Sequence, residues 1–273
     1  MPVSWIDPAM ATPVSGGFLT FPGASLATDS TTSGLKSPSG ATWISYDSLM
    51  QRWVPVNREM LSPDGNTWIY SSFGSANQYH AVDVSMKKDT LLWGSDKLYR
   101  LIGLDNRNAY AMLDSAGVSR LWRLPLDGSL GGPLKVNGSW QFVNGGKVWG
   151  AGTTSFPGVA YSLQQLDMQA NIVTTWIELD TQANLVGFDA SGAPILQVGG
   201  QAGDVIVVPS PGNQVRVAKA FGFGSGPAEH EPMPALGDEH GIWLAGADGI
   251  YLSTGGMATK QSVVHAFPAG PCL

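Results

Sequence analysis

The stretch Leu236-Gly-Asp-Glu-His-Gly-Ile-Trp-Leu244 decides the fold. A short apolar run meets a turn around Asp238, and a second apolar run that carries Trp243 follows. Turns select aspartate because its carboxylate binds the neighbouring backbone, and glycine because it adopts positive φ. The stretch therefore predicts two antiparallel strands joined by a tight turn.

Four other stretches share this layout, at residues 61–70, 102–111, 142–150 and 186–195. The successive turn residues are 41, 39, 45 and 49 residues apart, and they are Asp64, Asp105, Asn144, Asp189 and Asp238. A repeat of about 40 to 45 residues with strand-forming chemistry is typical of propeller blades. The aromatic residues of the second runs are expected to fill the space between blades, and they are Trp68, Tyr110, Trp149 and Trp243.

Strand-like runs group in fours along the whole chain. The groups are 59–95, 99–137, 139–180, 183–220 and 234–267, with a looser sixth group at 17–57. One such group cannot bury both of its apolar faces alone, so neighbours must stack and the ring must close. We predict an all-β chain with a single six-bladed β-propeller of four-stranded antiparallel blades over residues 16–273; five or seven blades are the alternatives. Residues 1–15 are either an N-terminal tail or a strand that closes the ring.

Composition agrees with this fold and excludes some partners. Charged residues make up 13% of the 273-residue chain, against roughly 25% in typical soluble domains. The formal net charge is −6 and no long basic run occurs, which argues against a nucleic-acid partner. No apolar stretch has the length of a membrane span. We expect a monomer without a cofactor.

The two termini do not determine where the protein is located or whether its thiol is paired. Residues 1–7 lack the basic and apolar regions of a signal peptide. We expect a secreted or cell-surface protein whose export signal or anchor lies outside this sequence; a cytoplasmic chain is the alternative. Cys272 is the sole cysteine, so it is either a free thiol or the partner of a cysteine that lies outside the sequence.

Two parts of the chain resemble known propeller repeats. Residues 236–252 resemble the repeat of bacterial sensor-type propellers, and Ser62-Pro-Asp-Gly65 resembles the repeat of TolB-like propellers. The wider layout is similar to secreted bacterial propeller proteins, on Ser45-Tyr-Asp47, Arg52-Trp-Val-Pro-Val56 and Ala269-Gly-Pro-Cys272. The resemblance implies the fold and carries over no catalytic residue.

Three short motifs invite a chemical interpretation. Ser62-Pro-Asp-Gly-Asn-Thr-Trp68 nearly matches the sialidase Asp-box, which is itself a structural turn. Glu229-His-Glu231 and Asp238-Glu-His240 place histidines beside carboxylates, which suits a divalent metal or an acid–base pair. Their spacing matches no metal motif, and Asp238 already has a role in its turn. We therefore expect a solvated loop, a structural turn and no metal.

The loop face is the better candidate for a site. In a propeller, the connections between blades and the loops between second and third strands share one face, opposite the Asp/Gly turns. Polar and aromatic groups of unlike type are predicted to converge there at the mouth of the central channel; they are Arg58, Glu59, Tyr99, Arg100, Trp140, Asn184, His230 and Glu231. The alternative is a set of solvated loop residues with ordinary Arg–Glu pairs.

Two functions of different class remain open. The first is a non-catalytic binding or scaffold module that engages a peptide, a glycan or a partner protein through this loop face. It is favoured because no catalytic triad, metal motif or cofactor motif is present. The second is a hydrolase or lyase acting on a carbohydrate or lactone. In that case Glu59, His230 or Glu231 would act as acid or base, and Arg58 or Arg100 would hold a carboxylate.

Overall fold

The computed structural model describes residues 1–6, 14–21, 25–33, 35, 43–115, 118–136, 138–154, 160–200, 202–224 and 233–272. Apart from two short 3₁₀ turns, Ser30–Thr32 and Arg58–Met60, its regular elements are strands. The prediction of an all-β chain is therefore confirmed. None of the described helices has the length and apolar character of a membrane-spanning segment.

The strands follow one another as antiparallel meanders. The first half of the chain contains β1 (Pro2–Ile6), β2 (Val14–Thr20), β3 (Ser25–Thr28), β4 (Ser45–Asp47), β5 (Arg52–Val54), β6 (Thr67–Phe73), β7 (Asn77–Asp83), β8 (Lys88–Ser95), β9 (Arg100–Leu104), β10 (Asn108–Ser115), β11 (Val118–Pro125) and β12 (Gly132–Pro133). The second half contains β13 (Ser139–Asn144), β14 (Lys147–Thr154), β15 (Ala160–Asp167), β16 (Ile172–Leu179), β17 (Ala183–Phe188), β18 (Pro194–Val198), β19 (Ala202–Ser210), β20 (Asn213–Gly222), β21 (Ala235–Asp238), β22 (Gly241–Gly246), β23 (Gly249–Thr254), β24 (Met257–Ser262) and β25 (Phe267–Pro268).

Hydrogen bonding groups these strands into sheets of about four. Strands β9 to β12 form one four-stranded sheet and β13 to β16 form another. The next eight strands form one larger sheet, in which β17 pairs in parallel with β21 through Gly187–Ala235 and Phe188–Leu236. Strands β6, β7 and β8 form a three-stranded sheet, which an isolated bridge between Leu61 and Trp68 extends.

The two ends of the chain meet in one sheet. Strand β1 pairs with β25 through Val3–Pro268 and Ser4–Phe267, and the sheet order is β25-β1-β2-β3. Residues 17–57 thus differ from the looser group expected of them, because β2 and β3 complete this sheet while β4 and β5 form a separate hairpin. Pairing between distant residues, which the local pattern does not encode, decides this arrangement.

The aspartate turns have the chemistry expected from the sequence. The Oδ1 atom of Asp189 accepts hydrogen bonds from the backbone N–H groups of Ser191 and Ala193, both at 2.8 Å. Asp105 accepts those of Arg107 and Asn108, both at 2.7 Å. Each carboxylate therefore satisfies the donors of its own turn and fixes the reversal of the chain.

The core lies between neighbouring sheets. Trp149, on β14, is 2% exposed and packs with Leu185 and Leu196 of the next sheet. Trp243 is also 2% exposed and packs with Val3 and Leu19, which joins β22 to the sheet that holds both termini. Burial of side chains this large contributes a few kcal/mol each, on the order of 25 cal/mol per Å² of apolar surface. Stacking of adjacent sheets therefore stabilises the chain.

Candidate functional site

The centre of the candidate site is the 3₁₀ turn Arg58–Met60, which lies just before the first strand of its sheet. Strands β9 and β13 pass directly against this turn. A Cβ atom at Gly103 would lie 3.1 Å from the Glu59 carbonyl oxygen and 2.9 Å from the Cβ of Val143. Gly103 also has φ of +132°, so glycine is needed there for both space and conformation. The turn is thus held against the first strands of the two following sheets.

Arg58 spans from this turn to a distant part of the chain. Its Nη2 atom donates to the carbonyl oxygen of Ala235, at the start of β21, at 3.3 Å. Its Nη1 atom is buried and has no hydrogen-bond partner in the described part of the chain. Burial lowers the pKa of Arg58 from its ordinary value, and the Glu59 carboxylate partly offsets that effect. A cation that lacks water and a full set of acceptors is costly to hold.

Glu59 reaches the same distant segment. Its Oε1 atom accepts a hydrogen bond from the backbone N–H of Met233 at 3.4 Å, and Met233 is 2% exposed. Arg58 and Glu59 therefore contact residues 233–235 with opposite charges, one through a carbonyl and the other through an amide. Sequence reasoning did not identify Met233 and Ala235, because both take part through backbone atoms.

Asn57 is another residue of the candidate site that the sequence patterns do not single out. It precedes the turn, its side chain makes no capping hydrogen bond, and its Oδ1 atom is buried without a partner among the described residues. Asn57 and Arg58 thus place one unsatisfied acceptor and one unsatisfied donor on consecutive residues. Buried polar groups are satisfied in most proteins, so both atoms can accommodate a partner other than the described residues. The only sequence signal is the polar run Asn57-Arg-Glu59 between apolar residues.

Arg100 and Trp140 form a second contact of the candidate site. Arg100, at the start of β9, donates from Nη2 to the carbonyl oxygen of Trp140 at 3.2 Å. Trp140 is 1% exposed and packs with Ile102 and Tyr110. The carbonyl of Trp140 therefore faces Arg100, while its ring belongs to the core.

The other predicted site residues are placed as follows. Tyr99 is 5% exposed, and its backbone N–H donates to the hydroxyl of Tyr79 at 2.6 Å. Asn184 is half-buried on β17, opposite Gln197 of β18. His230 and Glu231 lie outside the described residues. The structure thus brings Arg58 and Glu59 together and pairs Arg100 with the Trp140 backbone, whereas Tyr99 packs in the core.

This arrangement suits the binding of an anion better than proton transfer. The Nη1 atom of Arg58, which has no partner among the described residues, can donate a charge-assisted hydrogen bond to a carboxylate oxygen. Among the described residues, one group of three side chains has the composition of a metal site, and it comprises Asp238, His240 and Cys272. None of these three belongs to the turn around Arg58.

Comparison with known proteins identifies the fold. No protein-family model matches the sequence, and no curated protein matches it. An oligogalacturonate lyase in complex with manganese is 11% identical with a TM-score of 0.61, over 91% of this chain and 83% of that chain. The β-propeller domain of the Trilobed protease from Pyrococcus furiosus is 9% identical with a TM-score of 0.54, over 90% of this chain and 75% of that chain. This chain is a β-propeller.

TolB from Acinetobacter baumannii also matches, at 13% identity and a TM-score of 0.43, over 76% of this chain. The chain spans 60% of that TolB and 39% of an acylaminoacyl peptidase that it matches as well. The predicted resemblance to a TolB-like propeller is thus confirmed as a resemblance of fold, and the two higher-scoring structures carry that conclusion. At such identities the likeness concerns architecture alone.

Proposed function

We propose that this propeller is a non-catalytic binding module that holds the carboxylate of its ligand on Arg58. The observation that carries the proposal is the buried Nη1 atom of Arg58, which lacks an acceptor in the described part of the chain. A buried guanidinium nitrogen that lacks an acceptor gains a charge-assisted hydrogen bond when a carboxylate oxygen reaches it. Glu59 lies against β9 at Gly103, and Arg100 is the first residue of that strand. Both contribute charge and orientation at the site.

The class of ligand follows from the charges. A single fixed guanidinium recognises one planar carboxylate, and the net charge of −6 disfavours a long polyanion. The acidic group of a peptide and that of a uronic sugar share this chemistry. We therefore name the carboxylate as the recognised group and let the experiment distinguish the two sources.

The contacts of the Glu59 carboxylate favour binding over catalysis. One carboxylate oxygen accepts the N–H of Met233 at 3.4 Å, and no second carboxylate or histidine is paired with it among the described residues. A hydrolase or lyase needs an acid and a base on either side of the bond that breaks. The hydrolase or lyase alternative therefore depends on residues outside the described part of the chain.

The ring is proposed to contain six blades. One blade is β25-β1-β2-β3, and the next begins at the Leu61–Trp68 bridge and continues through β8. The strands β9 to β24 supply four more, and the β4–β5 hairpin is then an insertion between the first two. We further propose a monomer located outside the cytoplasm, in keeping with the resemblance to secreted propellers.

The test is an array of peptides and uronic-acid glycans, each paired with a version whose carboxylate is amidated. The wild-type chain is compared with Arg58→Met and Arg58→Lys, and with Arg216→Met as a control. Arg216 is 60% exposed and pairs with Asp204 at 3.0 Å, so this variant removes the same charge from the surface. We expect binding that needs the free carboxylate, that is weaker in both Arg58 variants and that the control keeps. Binding by Arg58→Met as strong as that of the wild type, or no binding by the wild type, contradicts the proposal.

A further inference from the structure

Asp238 differs from the other turn aspartates in reaching a residue far along the chain. The hydrogen bonds of Asp64, Asp105 and Asp189 go to residues within five positions of each in the described part of the chain. The Oδ2 atom of Asp238, by contrast, accepts the backbone N–H of Cys272 at 2.9 Å. This bond brings the C-terminal segment onto the turn between β21 and β22, and it places the sole cysteine of the chain beside a carboxylate and a histidine.

The three side chains have the separations that a metal ion requires. The Nδ1 atom of His240 lies 3.5 Å from Oδ1 of Asp238, and one ligand atom from each of Asp238, His240 and Cys272 lies within 4.8 Å of the other two. Two ligands of a tetrahedral zinc ion lie roughly 3.3–3.8 Å apart, given bonds of about 2.0–2.3 Å. The Asp238–His240 pair already has that separation, and a movement of about 1 Å brings in the thiol.

We infer that Asp238, His240 and Cys272 bind a zinc ion through Oδ1, Nδ1 and Sγ, with a fourth position open to water. Sulfur, imidazole and carboxylate ligands together favour zinc over magnesium or calcium, which prefer oxygen ligands. The His240 side chain is 49% exposed, which gives the ion a way in, while the Asp238 side chain is 4% exposed and fixed by its turn. The Met1 ammonium also approaches the Cys272 thiol, so the bound cation must compete with it.

Zinc at this position would link two neighbouring sheets where the two ends of the chain meet. Cys272 follows β25, the strand that pairs with β1. An ion shared by Cys272 and the Asp238 turn therefore joins the closing strand to the neighbouring sheet. An ion that binds the folded chain alone raises its melting temperature by mass action. This site shares no residue with the turn around Arg58, so its failure leaves the proposed ligand site unaffected.

The test titrates zinc and cobalt into the full chain after treatment with a chelator. We expect one ion per chain by calorimetry, a higher melting temperature with zinc, and a near-ultraviolet charge-transfer band from cobalt bound to thiolate. Cys272→Ser keeps the backbone N–H that Asp238 accepts, but it should weaken zinc binding by about 100-fold and abolish the band. His240→Gln should also weaken binding.

The control is His265→Gln, which alters an exposed histidine outside the cluster and is expected to bind zinc as the wild type does. Absence of zinc binding and of a melting shift in the wild type overturns the inference. Zinc binding by Cys272→Ser as tight as that of the wild type also overturns it.

Discussion

Arg58 donates a hydrogen bond from Nη2 to the carbonyl oxygen of Ala235 at 3.3 Å, across 177 residues of sequence. Glu59, the next residue, accepts the backbone N–H of Met233. One 3₁₀ turn therefore holds the start of β21 by a donor and an acceptor. The same turn leaves the Nη1 atom of Arg58 without a partner in the described part of the chain, and this combination is the basis of the proposed ligand site.

Arg58 and Arg52 should differ in what they contribute to stability. Arg52 donates to the Gly65 carbonyl oxygen at 2.6 Å and lies 3.4 Å from Asp47, a carboxylate that is 3% exposed. Arg52→Met leaves that buried carboxylate without its cation and is expected to cost about 1–3 kcal/mol. Arg58→Met removes a poorly paired buried charge, so the free energy of unfolding should stay the same or rise.

Urea denaturation of the two arginine variants measures this difference. If Arg58→Met proves the more destabilised of the pair, the guanidinium stabilises the fold, and the argument that it is kept for a ligand fails.

Two of the buried tryptophans, Trp149 and Trp243, offer a second comparison. Trp243 donates from Nε1 to Oδ2 of Asp238 at 2.8 Å, whereas the buried Nε1 of Trp149 has no partner among the described residues. Both residues are 2% exposed, so replacement by phenylalanine removes similar apolar area. We expect Trp243→Phe to cost about 1–2 kcal/mol more than Trp149→Phe, because only the first breaks a hydrogen bond to a charged group. Equal losses in chemical denaturation would refute this assignment.

The aspartate turns could be predicted from the sequence because their cause is local. Asp189 binds the N–H groups of Ser191 and Ala193, so the turn is encoded within five residues. The contact of Arg58 with Ala235 has no local signal, since its acceptor is a backbone carbonyl that any residue could supply. The sequence therefore singles out Arg58 and Glu59 as candidate site residues but does not indicate their partners.

The sequence does not indicate which strand closes the ring, for the same reason. Residues 1–15 could be a tail or a closing strand as far as their own pattern indicates. The structure places β1 between β2 and β25, a pairing of Val3 with Pro268 that no local period contains. Likewise, the spacing of residues 17–57 predicts one looser group, although β2 and β3 belong to the sheet that also contains β1 and β25.

Removal of the closing strand should unfold the ring. The backbone N–H of Ala269 donates to the carbonyl oxygen of Pro2 at 3.0 Å, and the carbonyl oxygen of Ala269 accepts the backbone N–H of Tyr46 at 2.9 Å. A chain that ends at His265 loses both bonds and exposes the faces of neighbouring sheets, so we expect it to lose its cooperative thermal transition. A chain that ends at Gly270 keeps both bonds and should still melt cooperatively. A sharp transition at the wild-type temperature in the shorter chain would contradict ring closure by β25.

Stability should fall at acid pH through the turn carboxylates. The backbone N–H of Ala170, with the Lys147 ammonium and the N–H of Gln169, lowers the pKa of Asp167 to about 2. The unfolded value is about 3.9, so Asp167 stabilises the folded chain above about pH 4. That contribution is lost as the pH falls through about 2. The backbone N–H of Met86 lowers the pKa of Asp83 in the same direction.

Melting temperatures of the wild type and of Asp167→Asn between pH 5 and pH 2 test this linkage. We expect the variant to be less stable at pH 5 and its decline with acid to be shallower, because it has no proton to take up at this site. Parallel curves for the two proteins would show that Asp167 does not carry the linkage.

The most direct measurement is a binding cycle between the ligand carboxylate and Arg58. An acidic ligand from the array and its amidated analogue are titrated by calorimetry into the wild type and into Arg58→Met. We predict that amidation weakens binding to the wild type by about tenfold or more, as expected for the loss of a charge-assisted hydrogen bond, and leaves binding to Arg58→Met unchanged. Equal weakening in both proteins would mean that the carboxylate does not contact Arg58, and it would contradict the proposed function.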